Sequence, residues 1–290
     1  MSGFSADWLK LREPVDAVSR NPELTAELRA WRQRCDVLTV LDLGSGAGAN
    51  FRFLAPILAG EQYWRLVDHD PALLRQSDHL LRQWAAAQGM AVTDNDGMLI
   101  LESTTGRYRL EPLRLDLLHD WERLDFQNVR LVTASALIDL ASSDWLEHLA
   151  RRCGEGRAAV FITLSYDGSV HWEPALEEDE KVRALLNRHQ RIDKGFGPAL
   201  GPLAAYHLNA ALEDLGYRVE LQPSPWRLGS EQAAMQTALL EGWVEAARQL
   251  APASAAWLDH WSAQRRRLLG EGNSQLRVGH WDLFARLDGI

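Results

Sequence analysis

Residues 37–56 read VLTVLDLGSGAGANFRFLAP, and this stretch decides the fold. An apolar, β-branched run ends in Asp42, three glycines follow at alternate positions, and a helix-compatible segment continues. The run has the character of a strand buried on both faces of a parallel sheet. Glycine is favoured where a strand-to-helix turn needs φ > 0, or where a ligand must approach the backbone without meeting a Cβ. Gly44, Gly46 and Gly48 stand in that turn.

Outward from this unit the alternation continues. QYWRLVDHD reads as a second strand ending in acids, and PALLRQSDHLLRQWAAAQG as a helix with Pro71 in its first turn and Gly89 past its end. Residues 97–117 read as a hairpin turning near Thr105-Gly106, whose second limb leads into a third strand. VRLVTASALIDL, GRAAVFITLSYDG, RVELQPSPWRL and QLRVGHWDLFARL supply the remaining strands. The expected fold is α/β: a doubly wound, seven-stranded, mostly parallel sheet with a C-terminal antiparallel hairpin. Residues 1–34 are expected to form an N-terminal helical cap in two pieces, punctuated by Pro14 and Asn21-Pro22. Residues 35–290 form the core, with cap segments inserted at about 169–202 and 231–270.

Composition narrows the function. The net charge of −9 and the pI near 5.5 argue against a general nucleic-acid binder, which wants a basic face. Cys35 and Cys153 are the only cysteines, so no disulfide framework is implied. The chain has no leader-like start and no long apolar run, and a soluble, cytoplasmic protein without membrane contact is expected. The nine histidines are scattered without metal-ligand spacing, so no metal site is expected.

In a doubly wound sheet, ligands bind at the carboxyl ends of the strands where the strand order reverses. Three acids fall at such ends. Asp42 closes the first strand. Asp68 closes the second and suits the vicinal hydroxyls of a ribose. Asp116 closes the third and suits an exocyclic amine such as that of adenine. GSGAGA also satisfies a dinucleotide fingerprint, so NAD competes. Asp42 opposes it, because a carboxylate two residues before the first glycine repels a pyrophosphate. The same carboxylate suits a ligand carrying an ammonium and a sulfonium.

VLDLGSGAGANFRFL, WRLVDHDPALL, LRLDLL and LVTASALIDL together resemble the first four motifs of class I S-adenosylmethionine-dependent methyltransferases, over roughly residues 36–168. GYRVELQPSPW and LRVGHWDLFARL are similar to the closing antiparallel hairpin of that fold. The resemblance implies S-adenosylmethionine as cofactor. Asp42 and the backbone of Gly44, Ser45, Gly46 and Gly48 would hold its methionine end, with Asn50 in the same set. Asp68 would hold the ribose, Asp116 the adenine amine and His69 the adenine flank, and the backbone near Ser135 would pass the sulfonium. Asp70-Pro71 equally reads as a helix start.

A small-molecule methyl acceptor is the expected partner, since no NPPY-like stretch follows the fourth strand. Arg12, Asp16 and Arg20 fall at i, i+4 and i+8. They form either an ion-paired surface stripe or a face from which Arg20 or Arg12 reaches a carboxylate of cofactor or acceptor. Asp139, His171 and His189 are the candidate proton acceptors, and Tyr166, Trp172, Asp193 and Lys194 the candidate acceptor contacts. Trp243, Trp257 and Trp261 are expected to wall the same pocket. A partner or sensor protein that binds the cofactor without transferring methyl is the alternative, and an NAD-dependent oxidoreductase a more distant one.

Overall fold

The computed structural model of the chain describes residues 6–33, 36–193, 195–251 and 255–288. The opening stretch forms strand β1 (Val37–Leu43), the glycine turn and helix α3 (Ala49–Leu58). Two helices precede it, α1 (Ala6–Ser19) and α2 (Pro22–Arg32). Asn21 starts α2 by accepting the N–H groups of Glu23 and Leu24. Pro14 does not divide α1 as expected but lies inside it. The proline forgoes one helical hydrogen bond. The helix continues because Trp8, Leu11 and Val15 pack as one apolar face.

After α3 come β2 (Gly60–Asp68) and α4 (Pro71–Ala87), then β3 (Ala91–Asn95), β4 (Met98–Glu102) and β5 (Gly106–Arg114). The chain continues through β6 (Leu131–Ser135), α5 (Ser143–Gly156), β7 (Ala159–Glu173), α6 (Asp179–Gln190) and α7 (Ala204–Asp214). It closes with β8 (Arg218–Pro223), β9 (Trp226–Leu228), α8 (Ala233–Leu250), α9 (Ala255–Gly270) and β10 (Gln275–Arg286).

The sheet runs β3-β4-β5-β2-β1-β6-β7-β10-β8, with β9 also paired to β10. Strands β5, β2, β1, β6 and β7 are mutually parallel, and β10 enters antiparallel between β7 and β8. The sheet is therefore doubly wound and mostly parallel in its centre, with a C-terminal antiparallel hairpin. The order reverses between β1 and β6.

Among the described residues ten strands stand where seven were expected. Asp96 and Gly97, both at positive φ (49° and 80°), make the tight turn that adds β3 to β4. The expected sixth strand is divided into β8 and β9, because Pro223 and Pro225 cannot both sit in a continuous ladder.

Alternation along the strands sends residues to two cores. Leu38, Val40, Phe161 and Phe284 face α2, α3 and α4. Leu41, Leu43, Val132, Val160 and Ile162 face α5 and α7. Helix α2 thus belongs to the sheet's own core. A third cluster joins α1, α6, α8 and α9 to the far end of β7, to β9 and to the start of β10. Among the described residues, no helix is long and apolar enough to cross a membrane.

Candidate active site at the strand ends

The register places the acids. Asp42 lies beside Leu66 of β2 and Thr133 of β6, so it stands at the carboxyl edge where the order reverses. Its side chain is fully buried. Oδ1 accepts the Asn50 amide N–H at 2.7 Å, while Oδ2 is buried without a partner among the described residues. Burial pushes the Asp42 carboxyl up to about 7, against the Asn50 hydrogen bond and the Arg20 charge, which favour ionisation; Asp68 raises it further.

The glycine turn has three left-handed residues, Gly44, Gly46 and Gly48, at φ of 64°, 52° and 80°. Their tasks differ. A Cβ on Gly48 would sit 2.6 Å from Ser77 Oγ, so this glycine permits α3 to start against α4. Gly44 and Gly46 face the edge of the sheet, where Leu137 and Leu9 stand over them at 3.1 and 3.6 Å from such a Cβ. Ser45 Oγ is buried without a partner among the described residues.

Asp68 closes the turn from the next strand. Its Oδ2 accepts the Gly46 N–H and its Oδ1 the Asp70 N–H, both at 2.9 Å, and His69 Nδ1 stands 3.5 Å from Oδ1. The carboxylate therefore staples the glycine turn to β2, a role that the ribose expectation missed. Each oxygen keeps a further lone pair for a ligand. Asp70 caps α4 by accepting the Ala72 N–H. Asp116 is half exposed; Oδ1 accepts the Leu118 N–H at 2.8 Å and Oδ2 meets His119 Nδ1 at 3.1 Å. Partial burial opposes its charge, but these two partners outweigh it and hold the carboxyl below its ordinary value.

Arg12, Asp16 and Arg20 form no surface stripe, because all three are buried. Arg12 Nε donates to Asp16 Oδ2 at 2.7 Å, and Trp226 Nε1 donates to Asp16 Oδ1 at 2.9 Å. Arg20 donates to Asn50 Oδ1 at 2.7 Å and to Ser135 Oγ at 3.3 Å, with its guanidinium 4.3 Å from the Phe53 ring centre. Arg20 lies in the field of Asp16, Asp282 and Asp42. Asp282 accepts the N–H groups of Asn21 and Leu164 and the Ser224 hydroxyl. It pins the α1–α2 junction to the sheet and was not foreseen. The signal was an acid inside the otherwise apolar HWDLFA run.

Past its parallel pairing, β7 bends. Leu164 takes φ +57°, and Asp167 and Gly168 make an irregularity opposite Gly279. Tyr166, in register with His280, donates from Oη to Asn187 Oδ1 at 2.9 Å. Burial, then the Asp167 charge, pushes its phenol above the ordinary range, and buried Asp139 lies in its field. Asp139 does not cap α5; Ser142 does. His280 is buried against Trp226, ring centres 4.5 Å apart, and burial followed by the Arg12 charge lowers it to about 3.

The remaining acceptor candidates are not brought to this place. His171 and Trp172 lie eight and nine residues beyond Thr163, roughly 26 and 30 Å of strand further along β7 at ~3.3 Å per residue. His171 is exposed, and Trp172 packs edge-on against Trp243 and Trp261 with Arg265 over its face. Trp261 and Arg265 both bond Asp179, so these tryptophans form a closed core, not the pocket wall expected of them. His189 Nε2 meets Gln249 Oε1 at 3.2 Å, joining α6 to α8. Asp193 accepts the Gly195 N–H in an exposed turn, and Lys194 lies outside the described residues.

Two clefts open beside Arg20, one of about 490 Å³ between α1, α2 and α3 and one of about 360 Å³ between α1, α3 and Trp84 of α4. Neither includes Asp42, Asp68 or a glycine of the turn. The candidate site is read at the strand ends instead, where Asp42 Oδ2, Ser45 Oγ, and Thr163 Oγ1 opposite Ser135 are buried without a partner among the described residues. Among the described residues, no three His, Cys, Asp or Glu side chains gather to hold a metal.

No protein-family model and no curated protein sequence matches the chain. Among solved structures it is similar to cyclopropane synthase MmaA2 from Mycobacterium tuberculosis, at 11% identity and TM-score 0.47 over 98% of this chain and 95% of that one. It is also similar to phosphoethanolamine N-methyltransferase 2 from Haemonchus contortus, solved with phosphomonomethylethanolamine and S-adenosylhomocysteine. There the identity is 14% and the TM-score 0.44, over 99% of this chain and 61% of that one. A third likeness is to a protein provisionally described as a sarcosine dimethylglycine methyltransferase from Galdieria sulphuraria, at 13% identity and TM-score 0.46 over 92% and 86% of the two chains. At these values the likeness concerns fold alone, and the reading of the site rests on its own geometry.

Proposed function

We propose that the chain binds S-adenosylmethionine at the β1–β6 edge and transfers its methyl group to a small-molecule acceptor. The observation that carries this reading is Asp42: a fully buried carboxylate with one unpartnered oxygen, set under a turn of left-handed glycines at the switch point of the sheet. A cation fits that oxygen, and a pyrophosphate does not. The residues meet the needs of the cofactor in order along the edge. Asp42 Oδ2 would take the ammonium, the turn backbone would hold the amino-acid part, and the spare lone pairs of Asp68 would take ribose hydroxyls. Asp116, two residues past the end of β5, would face the adenine amine.

Bound S-adenosylmethionine supplies an electrophilic methyl group. What remains for the chain is alignment and exclusion of water. Leu9 and Leu137 stand over the glycine turn and supply the apolar cover. Asp139 follows β6, and Tyr166 lies in β7 past its parallel pairing; these two would face the acceptor. Asp139 is the group that would take a proton from an oxygen or ammonium nucleophile. Tyr166, held as a neutral phenol, orients rather than ionises.

The second reading, a cofactor-binding protein without transfer, draws on one observation: His171 and His189 both lie away from the turn, leaving Asp139 as the candidate base. Calorimetry with S-adenosylmethionine, S-adenosylhomocysteine and NAD tests the cofactor. Saturable binding of the first two without NAD is expected, and the reverse would sink the proposal. Incubation with labelled S-adenosylmethionine and pools of small amines, phenols and carboxylates separates transfer from binding alone.

A further inference from the structure

We infer that Asn50 is a positioning residue, aiming the free oxygen of Asp42 into the site and joining that carboxylate to the α1–α2 junction through Arg20. The inference rests on the reading of Asp42 as the seat of the cofactor's ammonium. It reverses the expectation that Asn50 and Arg20 themselves touch the cofactor.

The geometry of the Asn50 amide decides its role. Its nitrogen donates to Asp42 Oδ1 at 2.7 Å and to Thr133 Oγ1 at 3.1 Å, which uses both N–H groups. Its oxygen accepts from Arg20 at 2.7 Å. The opposite amide orientation would set oxygen against carboxylate and NH₂ against guanidinium, so the chemistry fixes this one. No N–H is left for a ligand. Asp42 is left with Oδ2, buried and without a partner among the described residues, as its remaining acceptor.

The chain of contacts runs from the carboxylate, through α3, to the end of α1. Arg20 follows α1 directly, and Asn21 N–H is held by Asp282 Oδ2 at 2.8 Å. Arg20 also reaches Ser135 at the end of β6. One guanidinium thereby fixes the helix junction, α3 and β6 around a single acid. The charged groups facing Asp42 are Arg20 from the junction and Asp68 from β2. Arg20 in turn sees Asp16, Asp282 and Arg12. Hydrogen bonding by Asn50 favours the ionised form of Asp42, against burial. Without that amide the carboxylate is ionised only at higher pH, and the capture of a ligand ammonium follows it.

The test reads a pH midpoint, which a merely structural asparagine would not move. Affinity for S-adenosylhomocysteine is measured from about pH 5.5 to 8.5 on the parent chain and on Asn50→Ala, with methylthioadenosine, which lacks the amino-acid end, as control. In the parent, S-adenosylhomocysteine affinity should rise as Asp42 ionises, and methylthioadenosine affinity should stay flat. In Asn50→Ala the midpoint should move up by about one pH unit. Arg20→Gln, which keeps a donor to Asn50 but removes the charge, should move it the same way and serves if Asn50→Ala does not fold. Binding with an unmoved midpoint in both variants overturns the inference and leaves the cofactor reading standing. Absence of S-adenosylhomocysteine binding at every pH overturns the cofactor reading instead. The positioning role is then decided on the unliganded protein by NMR titration of the Asp42 carboxyl, where equal midpoints in parent and variant refute it.

Discussion

Asp42 sets function against stability within one side chain. Its folded carboxyl titrates near 7 and its ordinary value is 3.8, so the folded state binds a proton where the unfolded chain does not. The stability this contributes is complete below the unfolded value and is lost as pH rises through about 7. Asp42→Asn should therefore raise the thermal midpoint more at pH 8 than at pH 5, both set by scanning fluorimetry. The same variant should lose about tenfold or more in S-adenosylmethionine affinity, having lost a charge-assisted contact. A variant no more stable at the higher pH would show that Asp42 is ionised at no cost. Gly48 is constrained in another way. Its φ of 80° and the 2.6 Å approach of Ser77 Oγ to a Cβ predict that Gly48→Ala destabilises the protein by about 1–3 kcal/mol in urea titrations. The places of the glycines and the three acids at or near the strand ends were legible because their residue types and spacing mark strand-to-helix turns. Their division of labour was not, since it depends on which helix passes close to which glycine.

Helix α1 is the element whose sequence misleads. Arg12, Asp16 and Arg20 repeat at helical spacing, and charge at that spacing ordinarily means solvent. Here the charged residues face in, because Trp226, Asn50 and Ser135 meet them with hydrogen bonds and Asp282 holds the end of the helix. The partners come from β9, α3, β6 and β10, so nothing local to α1 announces the direction. Removing Asp16 leaves Arg12 buried without its anion and Trp226 without its acceptor. Asp16→Ala should cost about 3–5 kcal/mol in chemical denaturation, whereas Asp78→Ala, at an exposed pair with Arg82, should change stability by under about 1 kcal/mol. Near-equal losses would mean that α1 does not depend on this buried pair. The Asp96-Gly97 hairpin stands at the other extreme. Asp-Gly between β-prone runs is a strong local signal, and β3 was missed because the expected hairpin began at residue 97, six residues after the strand starts.

Across the whole molecule, the alternation of strand and helix was enough for the central sheet, its order reversal and its closing antiparallel hairpin. It was not enough for the cap. The apolar tryptophans at 172, 243 and 261 read equally as pocket wall and as core, and the Arg265–Asp179 pair that closes them into a core joins residues far apart in sequence. His280 adds a global pH response. Its folded value near 3 lies below its ordinary 6.5, so its contribution is present above about 6.5 and is lost as pH falls toward 3. Stability should thus decline on acidification through that window, and His280→Gln should flatten the decline. The most direct measurement is titration calorimetry of the parent chain with S-adenosylmethionine at pH 8, repeated with Asp42→Asn and with NAD. Saturable binding to the parent, weakened by about tenfold or more in the variant, with no heat from NAD, is the expected result. Equal affinity of parent and variant, or binding of NAD alone, would contradict a cofactor seated on Asp42.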